Sequence, residues 1–154
     1  VMLANQQHTF SPPICHLYGF VSTDQGLGCL TEKIVDDGGD LAQTLQQRLS
    51  ENRLSDMHMN MLNTVITQLY DLNIRASDLK PRNFVFGKRP QTRALSDTEC
   101  VLIDGFGDIH AVPVRSMSRW INHLGLDDSC KRMARGGLVW HAKTRQFSHN
   151  PSST

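Results

Sequence analysis

Apolar and polar positions alternate at two different periods along this chain, and the switches between them mark its elements. "CHLYGFVS" and "LGCLTEKIV" are short apolar runs rich in β-branched and aromatic residues, joined by "TDQG". Asp and Gly at a tight connection between two such runs predict a β-hairpin. "DDGGD", residues 36–40, breaks the pattern with acids and two glycines and reads as a flexible hinge. The period then lengthens. Leu41, Leu45 and Leu49 recur at helical spacing. After "SENR", a longer helix is expected from about Ser55, its N-cap, to Leu72. Its apolar face would carry Leu62, Val65, Ile66, Leu69 and Leu72, with Met57, Met59 and Met61 as packing filler. "NFVF" and "CVLI" read as two short strands separated by a polar loop. "VRSMSRWINHLG" predicts an amphipathic helix burying Met117, Trp120, Ile121 and Leu124, with Gly125 as its C-terminal cap. "LVWHAKTRQF" fits strand or helix equally, and residues 148–154 read as a disordered tail.

A chain of 154 residues is enough for one domain with a real core. Hydrophobic residues make up 39% and charged residues 20%, so a soluble globular class is expected. A net charge of +1 names no partner, and nucleic acid is not an expected one. Charge is uneven, however. From Arg115 to Arg145 there are seven basic residues and only two acids, Asp127 and Asp128, which reads first as a solvated basic tail and otherwise as a site for a phosphate-bearing or acidic partner. Cys15, Cys29, Cys100 and Cys130 form no Cys-x-x-Cys pair, and Cys29 and Cys100 lie in apolar runs as expected of small core residues. That usage favours a reducing, cytoplasmic compartment. The scattered histidines give no zinc pattern, and no apolar run reaches membrane-spanning length. Because the chain starts at Val1, a preceding segment is expected, and any targeting signal would belong to it.

The chemistry-bearing residues flank the two central strands. Asp78, Lys80 and Asn83 precede the first, and Asp104 follows the second. If residues 84–86 and 100–103 pair antiparallel, the chain enters and leaves that hairpin at one end, and the polar groups converge. Two carboxylates brought together repel unless a cation lies between them. An amide oxygen and a carboxylate suit Mg²⁺, which keeps waters and takes its other oxygens from substrate phosphates. A second carboxylate nearby can accept the proton of an attacking hydroxyl. Lys80 would place positive charge on a transferring phosphoryl group. Taken singly, each of these residues is equally a turn or cap residue. The Gly26–Gly28 pair has no helix after it to hold an anion and reads as a turn.

"DLKPRN", residues 78–83, resembles the catalytic loop of protein kinases, and "LIDGFG" resembles the metal-binding strand end that follows it. The hairpin, hinge and two helices upstream match the same order, and the whole is similar to the PhoP-regulatory-network YrbL family of small bacterial kinase-like proteins. The resemblance covers roughly residues 14–124. It implies an α+β, protein-kinase-like fold. Residues 1–35 would end an N-lobe-like antiparallel sheet, 36–40 form the hinge, and 41–147 form a reduced helical C-lobe with a catalytic-type β-hairpin. It implies ATP and Mg²⁺ as cofactors. Asp78 and Lys80 would be catalytic, Lys80, Asn83 and Asp104 would bind the nucleotide, and Asn83 and Asp104 would hold the metal.

The chain departs from the protein-kinase pattern in several places. Ala76 and Ser77 stand where His and Arg usually precede the catalytic Asp, and the second motif is Asp-Gly-Phe-Gly. The Gly-rich loop, the ATP-positioning Lys and its Glu are not identifiable, Lys33 lying in the wrong strand. Two functions follow as expectations. One is a phosphotransferase with a protein or small-molecule acceptor. The other is a non-catalytic pseudokinase serving as a regulatory or protein-binding module. A truncated product without independent function is a third.

Overall fold

A computed structural model describes residues 12–89, 97–106 and 119–150. The first hairpin pairs β1 (Leu17–Thr23) with β2 (Gly26–Thr31), with Asp24 and Gln25 at the turn. It stands outside the core. Phe20 is 63% exposed and Leu27 74%, and Leu30 and Cys29 are exposed as well. Cys29 is therefore no core residue, contrary to expectation. A two-stranded ribbon has no third layer to cover its apolar side chains.

Residues 36–40 form a turn closed by its own side chains. The Asp36 carboxylate accepts from the Gly38 and Asp40 amides at 2.9 and 3.0 Å, and Lys33 Nζ donates to the Gly39 carbonyl at 3.2 Å. Val35 exchanges backbone hydrogen bonds with Lys88, tying this turn to the central sheet.

The expected helix from Leu41 starts later. Gln43–Thr44 form a short strand, β3, and α1 spans only Leu45–Ser50. Thr44 caps it through a reciprocal pairing with Gln47, which stops the helix from extending backwards, and Leu41 is left exposed. Helix α2 (Asp56–Asp71) starts at its Ser55 cap as the sequence predicts. It buries Met59, Leu62, Val65, Ile66, Leu69 and Tyr70, whereas Met57 is exposed.

A single 3₁₀ turn at Pro81–Asn83 leads into β4 (Phe84–Gly87), which pairs antiparallel with β5 (Glu99–Leu102). The register places Phe84 opposite Leu102 and Phe86 opposite Cys100. With β3 on the other side of β4, and Ile14 bridging Leu102, this sheet is the centre of the molecule. Both its faces are buried, which explains two strands with no polar alternation. Phe84, Phe86, Cys100 and Leu102 face the α2 layer, while Val85 and Val101 join Cys15, Ile34 and Ala42 on the other side.

Helix α3 (Arg119–Met133) runs straight through Gly125, so that residue is no cap. Its buried face carries Asn122, Leu126, Ser129, Cys130 and Met133. Trp120, 69% exposed, and Leu124 do not face the core as expected, and Met117 lies outside the described residues. The choice of face follows from polar as well as apolar groups. Asn122 Nδ2 donates to Asn73 Oδ1 and to the Ile74 carbonyl, and the Tyr70 hydroxyl donates to Asp127 Oδ1 at 2.6 Å.

The ambiguous segment "LVWHAKTRQF" contributes to a second hairpin, β6 (Leu138–His141) and β7 (Gln146–His149), which reaches past the expected start of the disordered tail. Asn63 fixes it to α2, its side chain donating to the Phe147 carbonyl and accepting from the Phe147 amide. The molecule is thus α+β. An exposed hairpin, a turn and a helical body around a buried hairpin follow in the order expected of a partial N-lobe sheet joined to a reduced kinase-like C-lobe.

Candidate phosphotransfer site

The loop before β4 and the turn after β5 meet, as antiparallel pairing of the two strands requires. Ala76 bridges Phe106, the Asp78 amide donates to the Gly105 carbonyl at 3.5 Å, and the Ile103 amide donates to the Asn83 carbonyl at 2.8 Å. Gly105 is the point of closest approach. A Cβ there would stand 2.4 Å from the Asp78 carbonyl oxygen and 2.9 Å from Asn83 Nδ2, and its φ of +83° is one that other residues rarely adopt. A side chain at this position would wedge the two loops apart.

Each expected site residue has a definite place. Asn83 is only 5% exposed, and its amide nitrogen donates to the Asp78 carbonyl at 3.1 Å. With the nitrogen committed to the loop, the amide oxygen is the atom with which Asn83 would meet a cation. Asp104 is exposed, and its Oδ1 accepts from the Gly105 amide at 2.7 Å. Asp78 and Lys80 are about half-exposed and form an ion pair, Nζ to Oδ2, at 2.8 Å. Asp78, Asn83 and Gly105 are therefore in contact, with Asp104 one residue away and Lys80 on the Asp78 carboxylate.

Among the described residues no group of three or more His, Cys, Asp or Glu side chains converges. That is too sparse for a structural zinc site. It fits a hard cation that needs one or two protein oxygens and completes its shell with water and phosphate. Asn83 and Asp104 are the two residues that would have to provide those oxygens.

The frame behind the loop combines expected and unexpected parts. Cys15 Sγ donates to the Ile103 carbonyl, just before Asp104, at 3.3 Å. Burial, reinforced by the Glu32 charge, pushes this thiol up to about 11, so it acts as a neutral strut. From the other side, Ser129 Oγ and Arg132 donate to the Ser77 carbonyl at 3.2 and 3.0 Å. Thus α3 holds the residue next to Asp78, a role sequence reasoning missed by ending the helix at Gly125. The signal was present: Asn122, Leu126, Ser129, Cys130 and Met133 share one helical face, but two of the five are polar.

Beside the loop lies a cavity of about 890 Å³, bounded by α1, by Asp78–Arg82, by the chain after α3 and by the end of β7. Asp78 and Lys80 line it, whereas Asn83 and Asp104 do not. Lys33 is held at the turn by its bond to Gly39. No described helix is long and apolar enough to cross a membrane.

Comparison with known proteins adds family information. The family described as PhoP regulatory network protein YrbL matches residues 2–137. No curated protein matches. Among solved structures, the chain is similar to a double-mutant form of the PknI kinase domain from Mycobacterium tuberculosis. The identity is 13% and the TM-score 0.46, over 82% of this chain and 52% of that one. The chain therefore spans about half the length of that kinase domain.

Proposed function

The chain belongs to the YrbL family of PhoP regulatory network proteins, and we propose that it carries the acid–base and metal half of an ATP- and Mg²⁺-dependent phosphotransfer site. The observation that carries this reading is the contact of Gly105 with both Asp78 and Asn83, which draws the two polar loops into one site. Asp78 orients the acceptor hydroxyl and takes its proton. Asn83 and Asp104 would hold Mg²⁺, which when bound neutralises charge on the phosphates. Lys80 leaves Asp78 to meet the transferring phosphoryl group. The reaction would take place in the cytoplasm, where four free cysteines fit a reducing medium.

The test is Mg²⁺-dependent ATP hydrolysis by the full-length protein. Asp104→Ala is expected to abolish it, and hydrolysis that persists in this variant refutes the assignment.

One observation favours a second reading, a non-catalytic module that binds a partner protein. The β1–β2 register places Phe20, Leu27 and Cys29 on one exposed face, an apolar surface of the kind that marks interaction sites. Under this reading Asp78→Asn with Asp104→Asn leaves partner binding intact. A large loss of binding in that double variant counts against it.

A further inference from the structure

The cavity beside the catalytic loop has a charge pattern that metal and nucleotide chemistry leave unused. Its lining includes Lys80, Arg82, Arg132 and Arg135, with Asp78 the only acidic residue. Two of the four cations are already engaged. Lys80 pairs with Asp78, and Arg132 pairs with Asp128 while donating to Ser77. The side chains of Arg82 and Arg135 are exposed and have no partner among the described residues. These two arginines come from different elements lining the one cavity. One follows Pro81 in the catalytic loop, and the other lies just past the C-terminus of α3. Like charges held in one concave site attract an anion, and guanidinium groups suit phosphate through paired N–H donors.

The cavity also has an apolar part, with Leu49, Leu79 and Met133 among its lining. Its volume falls in the range of small-molecule sites, roughly 300–1,000 Å³. We propose that this cleft binds a small phosphate-bearing alcohol, its phosphate between Arg82 and Arg135 and its hydroxyl at Asp78. The binding stands on the cleft alone. The transfer step rests on the phosphotransferase reading above. In that step the alcohol oxygen bonds to the γ-phosphorus of a nucleoside triphosphate and the β,γ-bridging P–O bond breaks. The nucleoside diphosphate leaves with that electron pair, and the hydroxyl proton passes to the Asp78 carboxylate. The basic stretch seen in the sequence thereby acquires a location. Arg132 and Arg135 belong to a wall of the site instead of a solvated tail.

The test is calorimetric titration of the intact chain, without nucleotide, using inorganic phosphate and glycerol 3-phosphate as probes. Both are expected to bind, with glycerol 3-phosphate the tighter. Arg82→Gln and Arg135→Gln are each expected to weaken binding about tenfold, as for loss of a charge-assisted hydrogen bond. Lys143→Gln, a change outside the cleft, is expected to leave it unchanged. Both arginines are exposed, so the glutamine variants keep the core, and their thermal transitions check it. Absence of phosphate binding to the wild type overturns the proposal, as does equal binding by the double glutamine variant. An Asp/Glu-rich peptide that binds through the same arginines while glycerol 3-phosphate does not also overturns it, in favour of a protein partner. Because no nucleotide is present, these results are independent of ATP hydrolysis by Asp104→Ala.

Discussion

Replacing Gly105 by Ala tests the point on which the site depends. Two costs apply. The first is conformational, since an L-residue at φ +83° is strained by roughly 1–2 kcal/mol. The second is steric. The new methyl would meet the Asp78 carbonyl oxygen at 2.4 Å, and that oxygen is backbone, so it moves only if the Asp78–Asn83 loop moves. Overpacking of this kind costs about 1–3 kcal/mol more. Gly136 provides the control. Its φ is +60°, but nothing lies within 4 Å of the position its Cβ would take. Gly136→Ala should therefore show the conformational cost alone, and Gly105→Ala a total of about 2–5 kcal/mol. In thermal unfolding, at about 2–4 °C per kcal/mol for a chain of this size, Gly105→Ala should lower Tm by roughly 4–20 °C. Hydrogen exchange at the Asn83 and Asp78 amides should rise in the same variant. Equal Tm losses at the two glycines would refute the close approach, and with it the clamp that joins the two loops.

Arg89→Ala removes a guanidinium that is 7% exposed, pairs with Glu32 and Glu99, and donates to the carbonyls of Pro12 and Ile14. With the Glu32 side chain only 6% exposed, urea unfolding should show a loss of about 3–5 kcal/mol, much of it recovered in Arg89→Met with Glu32→Leu. Asn63→Ala leaves the Phe147 amide and carbonyl without their side-chain partners, so β7 amides should exchange faster and stability should fall by roughly 2–4 kcal/mol. Thiol labelling at pH 8 of the folded chain should modify Cys29 alone, while Cys15, Cys100 and Cys130 react only on unfolding. Cys15 is pushed up to about 11, from an ordinary value near 9, chiefly by burial and then by the Glu32 charge. Burial, with a smaller contribution from Asp127, pushes Cys130 up to about 12. The folded state therefore keeps protons that the unfolded chain releases, so stability should hold below about pH 9 and fall as pH rises through 11 to 12. A pH-independent urea midpoint from 8 to 11 would contradict this.

What the sequence made legible was local chemistry and strong periodicity. Ser55 is a cap with a Ser hydroxyl one residue before a long apolar helical face, and both signals agree. The β4–β5 pairing followed from two short apolar runs between polar punctuation, and antiparallel topology then brought Asp78, Asn83 and the Asp104 turn together. What was not legible depended on competition between local and distant partners. Thr44 ended the first helix by capping it, a choice the leucine spacing cannot reveal. The buried face of α3 is set by Asn122 and Ser129, whose partners are backbone carbonyls about fifty residues away. An apolar-only reading therefore chose the wrong face and exposed Trp120 became a false core residue. Cys29 misled for a related reason: an apolar run implies burial only if a second layer exists to cover it.

The site has two sides, and Asp78 and Lys80 sit between them. On one side Asn83 and the Asp104–Gly105 turn are built into the frame, through buried hydrogen bonds and a glycine contact. On the other, the exposed Arg82 and Arg135 line a cavity. The Lys80–Asp78 pair differs from both. Each partner is about half-exposed, and an ion pair of that kind contributes on the order of 0–1 kcal/mol. A rigid pair would have to be broken at large cost before Asp78 could take a proton or Lys80 a phosphate. This one separates for less than a single charge-assisted hydrogen bond to phosphate returns, about 1.5–3 kcal/mol. Under the proposed transfer, Lys80 could leave Asp78 at that small cost while the Asp78 backbone stays clamped by Asn83, Gly105 and α3. The exposed charges and the clamped backbone are separate parts of the same loop, and the proposed proton transfer at Asp78 would need that separation.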